Sequence, residues 1–478
     1  MHKKLVAIWC VLLCATCAVN AQGVNAEILS VAKDSMNSTD LQFDSATYYV
    51  RTVVIKGNKK TKDNIAFREV AVKQGQSYSG RDLHRLLRLS REQLMNTTLF
   101  INVNVATYKV QGGTIDVEFT VNERWYIFPV PYFKVVDRNW NVWIKDYGAS
   151  LDRTQFGLKM LHNNTTGRND KFNLWVIAGY TQQLEFKYQL PYVDQKMENG
   201  FTVGMSYGRN RELNYATDSN RQQFFTLPDF GRQFIRAELT YSNRKGSQQR
   251  FYLRNIYGFE KIDSAFFKLN PNYLSGRTQA SFYDLMAAYQ YLNVDYIPFP
   301  LRGWYVDFYA LNRFSSVIPM TQVGGRMLAT WAFLPKTYIN FQSAFVYTLQ
   351  KHQPFFNQRL MGYGSLWMQG LEYNVMDGTF GVIGRTTIRR KLFTYNFVGP
   401  EKWKAYSRIP FTFYLKTFGN IGYAYHVNPG NNFMNNRFLH TAGFGLEIAT
   451  IYDMVFKLDY SFNQFGQSGF FIHTSADF

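Results

Sequence analysis

From residue 129 to the C-terminus, apolar and polar side chains alternate in short runs separated by turn residues, with no convincing helical run. In Met454–Asn463, Met454, Phe456, Leu458, Tyr460 and Phe462 share one face, and Val455, Lys457, Asp459, Ser461 and Asn463 share the other. Phe411–Asn420 sets Phe411, Phe413 and Leu415 against Thr412, Tyr414 and Lys416; Arg302–Leu311 sets Trp304, Val306 and Phe308 against Tyr305, Asp307 and Tyr309. A period of two marks a strand with different surroundings on its two faces. A soluble sandwich also alternates, but not over this length with so many aromatics on one face. In lipid such a sheet must close on itself, because unpaired backbone groups find no water there. About 350 residues, at about 22 per strand plus connection, give about sixteen antiparallel strands. The expected fold is mainly β, with a transmembrane barrel over 129–478.

Residues 48–124 follow another pattern. Tyr49–Lys56 reads as a strand and Lys62–Val70 as a short helix. Ser79 is an N-cap with Asp82 three residues on. The helix it opens spaces Leu83, Leu86, Leu87 and Leu94 on one face, with Arg81, Arg85, Arg88 and Arg91 on the solvated remainder. Phe100–Tyr108 and Thr114–Asn122 read as strands joined by a turn at Gln111-Gly112-Gly113. The order β-α-α-β-β describes a small α+β domain.

The chain opens on His2-Lys3-Lys4, an apolar Leu5–Val19 and a small-residue Val19-Asn20-Ala21. This reads as a signal peptide over 1–21. A lipoprotein signal at Cys14 or Cys17 is the alternative, although bulky Leu13 fits it poorly. Residues 22–47 read as a flexible lead. All 3 cysteines precede residue 18, so later residues can form neither disulfides nor thiolate metal sites. The net charge is +19, which for an exported chain points to a basic lumen or anionic lipid heads rather than nucleic acid. Aromatics make up 18% of the chain while no apolar run after the signal reaches the ~18 residues of a membrane helix, a combination typical of membrane barrels.

The domain at 48–124 resembles a POTRA domain, the periplasmic module of the BamA/TamA-type outer-membrane assembly and translocation family. Asp137-Arg138-Asn139-Trp140, Asn163–Gly167 and Gln189-Leu190-Pro191-Tyr192 resemble the opening barrel strands of that family, and Phe478 resembles its terminal aromatic. The resemblance implies an outer-membrane barrel with its N-terminal domain in the periplasm. It implies a strand-pairing edge at Phe100, Val103 and Val105. It also implies a barrel seam between a first strand near Pro131–Val136 (Phe133, Val135) and a last strand near Gly469–Phe478 (Phe470, Ile472, Phe478).

Between two strand-like runs lies Leu360–Gly378, rich in glycine and in apolar residues that a loop crossing solvent would not need. It is expected to fold into the barrel. In the family, this loop carries an Arg-Gly-aromatic signature followed by Glu-Tyr and Val-x-Asp-Gly. The matching residues here are Gln369, Gly370, Leu371, Glu372, Tyr373, Val375, Met376, Asp377 and Gly378. Gln369 replaces an arginine that contacts acidic groups of the inner wall; it can hydrogen-bond but cannot form that ion pair. Arg385 and Arg389, on the lumen face of the next strand, are the expected wall partners of Glu372 or Asp377.

No nucleophile elbow, zinc-type His-Glu-x-x-His or P-loop occurs, and no pair of histidines has metal-ligand spacing. Neither an enzyme nor a cofactor is expected. The resemblance implies insertion or translocation of proteins, with unfolded outer-membrane or exported proteins, lipids including lipopolysaccharide, and accessory lipoproteins as partners. A passive channel retaining the fold is the alternative.

Overall fold

The computed structural model describes residues 46–110, 112–135, 150–364, 366–398, 408–450 and 453–473. The segment read as a signal, the lead up to residue 45, Asp137–Trp140 and Phe478 lie outside them.

The N-terminal domain consists of β1 (Thr47–Lys56), α1 (Asp63–Phe67), β2 (Ser77–Ser79), α2 (Gly80–Asn96), β3 (Phe100–Lys109) and β4 (Thr114–Glu123). The sheet order is β2-β1-β4-β3, with β1 parallel to β4. Sequence pattern missed β2, which is too short to alternate. Ser79 caps α2, its hydroxyl accepting from the Asp82 amide at 3.1 Å. The apolar stripe of α2 buries Leu83, Leu87 and Leu94 against Phe100, Val103 and Phe119 of the sheet.

The barrel strands follow: β5 (Ile127–Val135), β6 (Thr154–Asn163), β7 (Lys171–Gly179), β8 (Thr181–Leu190) and β9 (Asn199–Asn210). A separate hairpin, β10 (Glu212–Asp218) and β11 (Arg221–Thr226), precedes β12 (Arg232–Asn243) and β13 (Gln249–Ile262). After the short α3 (Ser264–Leu269) come β14 (Gln279–Val294), β15 (Gly303–Phe314), β16 (Met320–Leu334) and β17 (Thr337–Thr348). The lumen loop contributes β18 (Arg359–Met361) and β19 (Met376–Asp377). The wall ends with β20 (Phe380–Val398), β21 (Arg408–Tyr425), β22 (Phe438–Ala449), β23 (Val455–Asn463) and β24 (Ser468–His473). Apart from the β10–β11 and β18–β19 pairs, these form one 16-stranded sheet of antiparallel neighbours running from β24 to β5.

Alternation sorts the wall into two faces. Leu184, Met205, Leu239, Trp304, Phe308, Ile421 and Phe444 stand outward and exposed, an apolar belt that water would not tolerate at this extent. Asp307, Arg389, Lys416, Glu447 and Asp459 point inward and are buried. No described helix is long and apolar enough to cross a membrane.

Candidate functional site: the lumen loop, the seam and the domain seat

The connection from β17 to β20 turns into the barrel. β18 and β19 pair antiparallel, making a tongue whose tip spans residues 366–374. Leu360, Met361, Leu366, Met368, Leu371 and Met376 pack on Ala344, Ile383, Ala424 and Leu439 of the wall. This burial anchors the tongue. Leu371, where the family carries an aromatic, fills its place at 4% exposure.

At the tip, the Gln369 Nε2 amide donates to Asp459 Oδ2 at 3.0 Å. The same carboxylate holds Lys416 Nζ at 2.9 Å, Lys416 reaches Glu447 at 3.3 Å, and Arg389 Nε donates to Glu447 at 2.6 Å. These four charged side chains are at most 3% exposed. Arg389 and Lys416 thus meet Glu447 and Asp459, buried Lys457 lies opposite Glu447 on the next strand, and the loop adds only a neutral amide. The cation missing from the loop is supplied by the wall, through Lys416.

Gly370 has φ +89°, and a Cβ there would lie 3.2 Å from Thr441, so a side chain would be both strained and crowded. Its amide donates to Glu372 at 2.8 Å, and its carbonyl accepts from Asn463 at 2.9 Å. A Cβ on Gly378 would stand 2.2 Å from the Tyr425 carbonyl, a close approach that only glycine allows. Asp377 accepts from Tyr363 Oη at 2.7 Å.

The wall arginines are placed differently from expectation. Arg389 pairs with Glu447 of the wall, not with the loop. Arg385 meets the loop through the Trp367 ring, its guanidinium 5.2 Å from the centroid, rather than through Glu372 or Asp377. Glu372 instead lies 3.4 Å from His473 of β24. Trp367 packs against His473 with centroids 5.1 Å apart, and Tyr373 against Phe471 at 5.6 Å. The tip thus braces the last strands of the sheet.

Those strands border the seam. β5 and β24 occupy the two ends of the sheet, and among the described residues no ladder joins them. Phe133, Phe470 and Ile472 are exposed on the outer side, with Ile472 at 66%. Val135 ends β5.

The edge of the N-terminal sheet also differs from expectation. β3 is an edge strand, but Phe100 and Val103 are fully buried core residues and Val105 packs partly against the same core. Two edge carbonyls are occupied: Phe100 O accepts from Arg124 Nε at 2.8 Å and Val103 O from Arg91 Nε at 3.0 Å. The stretch from Asn104 to Lys109 is the more open part.

Sequence reading missed the seat of this domain on the barrel rim. Arg244, in the β12–β13 turn, grips Glu69 with two bonds of 2.7 Å, and also donates to Tyr192 Oη at 2.6 Å. Tyr192, from the β8–β9 turn, inserts into the domain core. Arg124 makes two bonds to Asp453, at 2.7 and 3.0 Å. Asn96 bonds the β14–β15 turn through Val294 O and the Ile297 amide. Asn164, inside the Asn163–Gly167 motif, donates to Thr61 at 2.9 Å. Burial pushes the Tyr126 hydroxyl up to about 12, so it stays a neutral donor to Leu99 O. The β14–β15 turn itself folds inward, placing Phe299 5.0 Å from Tyr414 of the facing wall. Each of these partners lies far away in sequence and carries no spacing signal.

At the opposite rim, the buried Asn220 of the β10–β11 turn donates to Val375 O and Asn435. Tyr363 contacts Thr217 at 3.1 Å. Between the two covers a cavity of about 470 Å³ remains, lined by Arg254, Gln290, Asp307, Tyr309, Arg326 and Leu366 among others. No group of three His, Cys, Asp or Glu that could hold a metal occurs among the described residues.

The described residues form one small α+β domain seated on a sixteen-stranded barrel with an inward tongue. Residues 48–124 match the POTRA family, described as a surface antigen variable number repeat. The chain is similar to the structure of BamA from Haemophilus ducreyi lacking POTRA domains 1–3, at 15% identity and a TM-score of 0.50, covering 89% of this chain and 83% of that one. It is also similar to CdiB from Acinetobacter baumannii at 14% identity and a TM-score of 0.47, covering 89% and 73%. For CdiB from Escherichia coli the figures are 10% and 0.46, covering 92% and 90%. No curated protein sequence matches the chain.

Proposed function

We propose that this protein inserts β-barrel proteins into the outer membrane, or passes proteins across it, by strand templating. The observation that carries this reading is the seam: β5 and β24 end the sheet without a ladder between them among the described residues. An unpaired edge is a ready template for an incoming strand. The open part of β3 is a second such edge, on the periplasmic side. The partners under this reading are unfolded outer-membrane or exported proteins, membrane lipids including lipopolysaccharide, and accessory lipoproteins.

The passive-channel alternative draws less support. Its basis in the sequence was the loss of the loop arginine, yet Gln369 still bonds the wall. Both mouths are covered, by the POTRA domain with Phe299 at one rim and by the Asn220 and Tyr363 contacts at the other.

The test is quantitative proteomics of outer membranes after depletion. A broad fall in unrelated barrel proteins marks an insertase; loss of one exported protein marks a translocator. An unchanged outer membrane refutes both. Cysteine pairs scanned across β5 and β24 supply a second arm, since all native cysteines precede residue 18. Full function in a disulfide-locked variant would exclude seam opening.

A further inference from the structure

β20 and β21 are longer than the strands beside them. They pair with each other as far as Val398↔Arg408, while β17 stops at Thr337↔Arg390 and β22 at Thr412↔Ala449. Residues 395–398 and 408–411 therefore leave the periplasmic rim as a two-stranded ribbon, reaching about 13 Å at ~3.3 Å per residue. The ribbon is amphipathic. Phe393↔Phe413, Tyr395↔Phe411 and Phe397↔Ile409 share one face; Thr394↔Thr412 and Asn396↔Pro410 share the other. Phe393 and Phe413 stack with centroids 4.7 Å apart.

The aromatic face continues the outward face of the barrel. Along β21, Leu415 is exposed and lies in step with Phe413 and Phe411, whereas Tyr414 and Lys416 point into the lumen. On β20 a register shift between Lys391 and Phe393 leaves Leu392 extra. Without this bulge, Phe393, Tyr395 and Phe397 would fall on the lumen side. Across β17 from the ribbon, Trp331, Phe333 and Leu334 at the end of β16 are also exposed. Where the ribbon leaves the rim, Arg390 is in step with the outward Leu415, while Lys391 is in step with Tyr414 and faces the lumen. Lys336, in the β16–β17 turn, is next to Thr337, the partner of Arg390, and its carbonyl accepts from the Lys391 amide at 2.8 Å. No acidic side chain pairs with Lys336 or Arg390 among the described residues.

We propose that this ribbon is an anionic-phospholipid site: its aromatic face lies in the periplasmic leaflet, and Lys336 and Arg390 bind the phosphodiester headgroups. Continuity with the lipid-facing belt selects a membrane as the occupant. The charge selects its acidic lipids, since aromatic side chains settle at the membrane interface and adjacent basic ones hold anionic heads.

The experiment uses the full chain in nanodiscs of phosphatidylcholine mixed with phosphatidylglycerol. Native mass spectrometry counts the lipids retained by wild type and by the Lys336→Gln/Arg390→Gln variant. Wild type should retain phosphatidylglycerol several-fold above its share of the mixture, and the variant should fall to that share. Equal enrichment in both overturns the headgroup assignment. A photocrosslinking residue at Phe397 tests the ribbon in cells without removing any charge. Lipid adducts support the proposal; an adduct with a protein of defined mass overturns it in favour of a protein-docking ribbon.

Discussion

Gln369→Arg restores the residue that the family carries in the loop, yet here it should destabilise the tongue. In the wild-type cluster Arg389 and Lys416 already face Glu447 and Asp459, all almost fully buried. Lys416 and Gln369 meet the same oxygen, Asp459 Oδ2, each at 3.0 Å. A guanidinium at residue 369 would thus sit beside the Lys416 ammonium. At ~4 Å and an effective dielectric of ~20, their repulsion is about 4 kcal/mol, which roughly cancels the new attraction to Asp459. What remains is the desolvation of a further cation without a further anion, about 3–5 kcal/mol. Lys416→Met alone should lose a similar amount by leaving Asp459 without a counter-charge. The double variant Gln369→Arg/Lys416→Met moves the cation from wall to loop and leaves the charge of the cluster unchanged. Its loss should therefore be smaller than the sum of the two single losses by about 3 kcal/mol. The assay is the denaturant midpoint of folded barrel, read by heat-modifiable gel mobility, together with protease protection of residues 366–374. A stable Gln369→Arg single variant, or strict additivity in the cycle, would refute the relocated-cation account.

Glu69→Ala should release the POTRA domain from the rim, because Arg244 and Arg68 would lose the carboxylate they surround, at a cost of about 3–5 kcal/mol. Faster proteolysis of the domain with unchanged barrel mobility is the expected readout. Phe100→Ala should cost about 3–5 kcal/mol in domain stability, since Phe100 is a core residue rather than a docking contact. Lost strand capture without lost stability would contradict this. Hydrogen bonding from Arg51, then Thr52, holds the Asp116 carboxyl down at about 2. Because the folded pKa lies below the unfolded one, its contribution is present above about pH 4 and fades as pH falls through 2. Wild type and Asp116→Asn should therefore differ in denaturant midpoint at neutral pH and converge near pH 2.

The period-two pattern was enough to derive the architecture. A strand between lipid and lumen must alternate, so the outward set of Tyr460 and Phe462 and the inward set of Lys457, Asp459 and Ser461 were legible on β23. Ser79, the leucine stripe of α2 and the apolar tongue were legible for the same reason: each is a local pattern with a local cause. The motif match at Gln369–Gly378 located the tongue but left its anchoring open. Whether an amide can replace a guanidinium depends on Lys416, which sits on another strand and becomes its neighbour only when the barrel wraps around the loop. The pairing of Arg389 with Glu447 and the clasp of Arg244 on Glu69 likewise join residues brought together by closure of the sheet and seating of the domain. Alternation assigns a side chain to a face; it does not say which charges meet across the lumen or the rim. Those meetings follow from strand order, register and curvature, and the burial that makes them strong exists only in the folded protein.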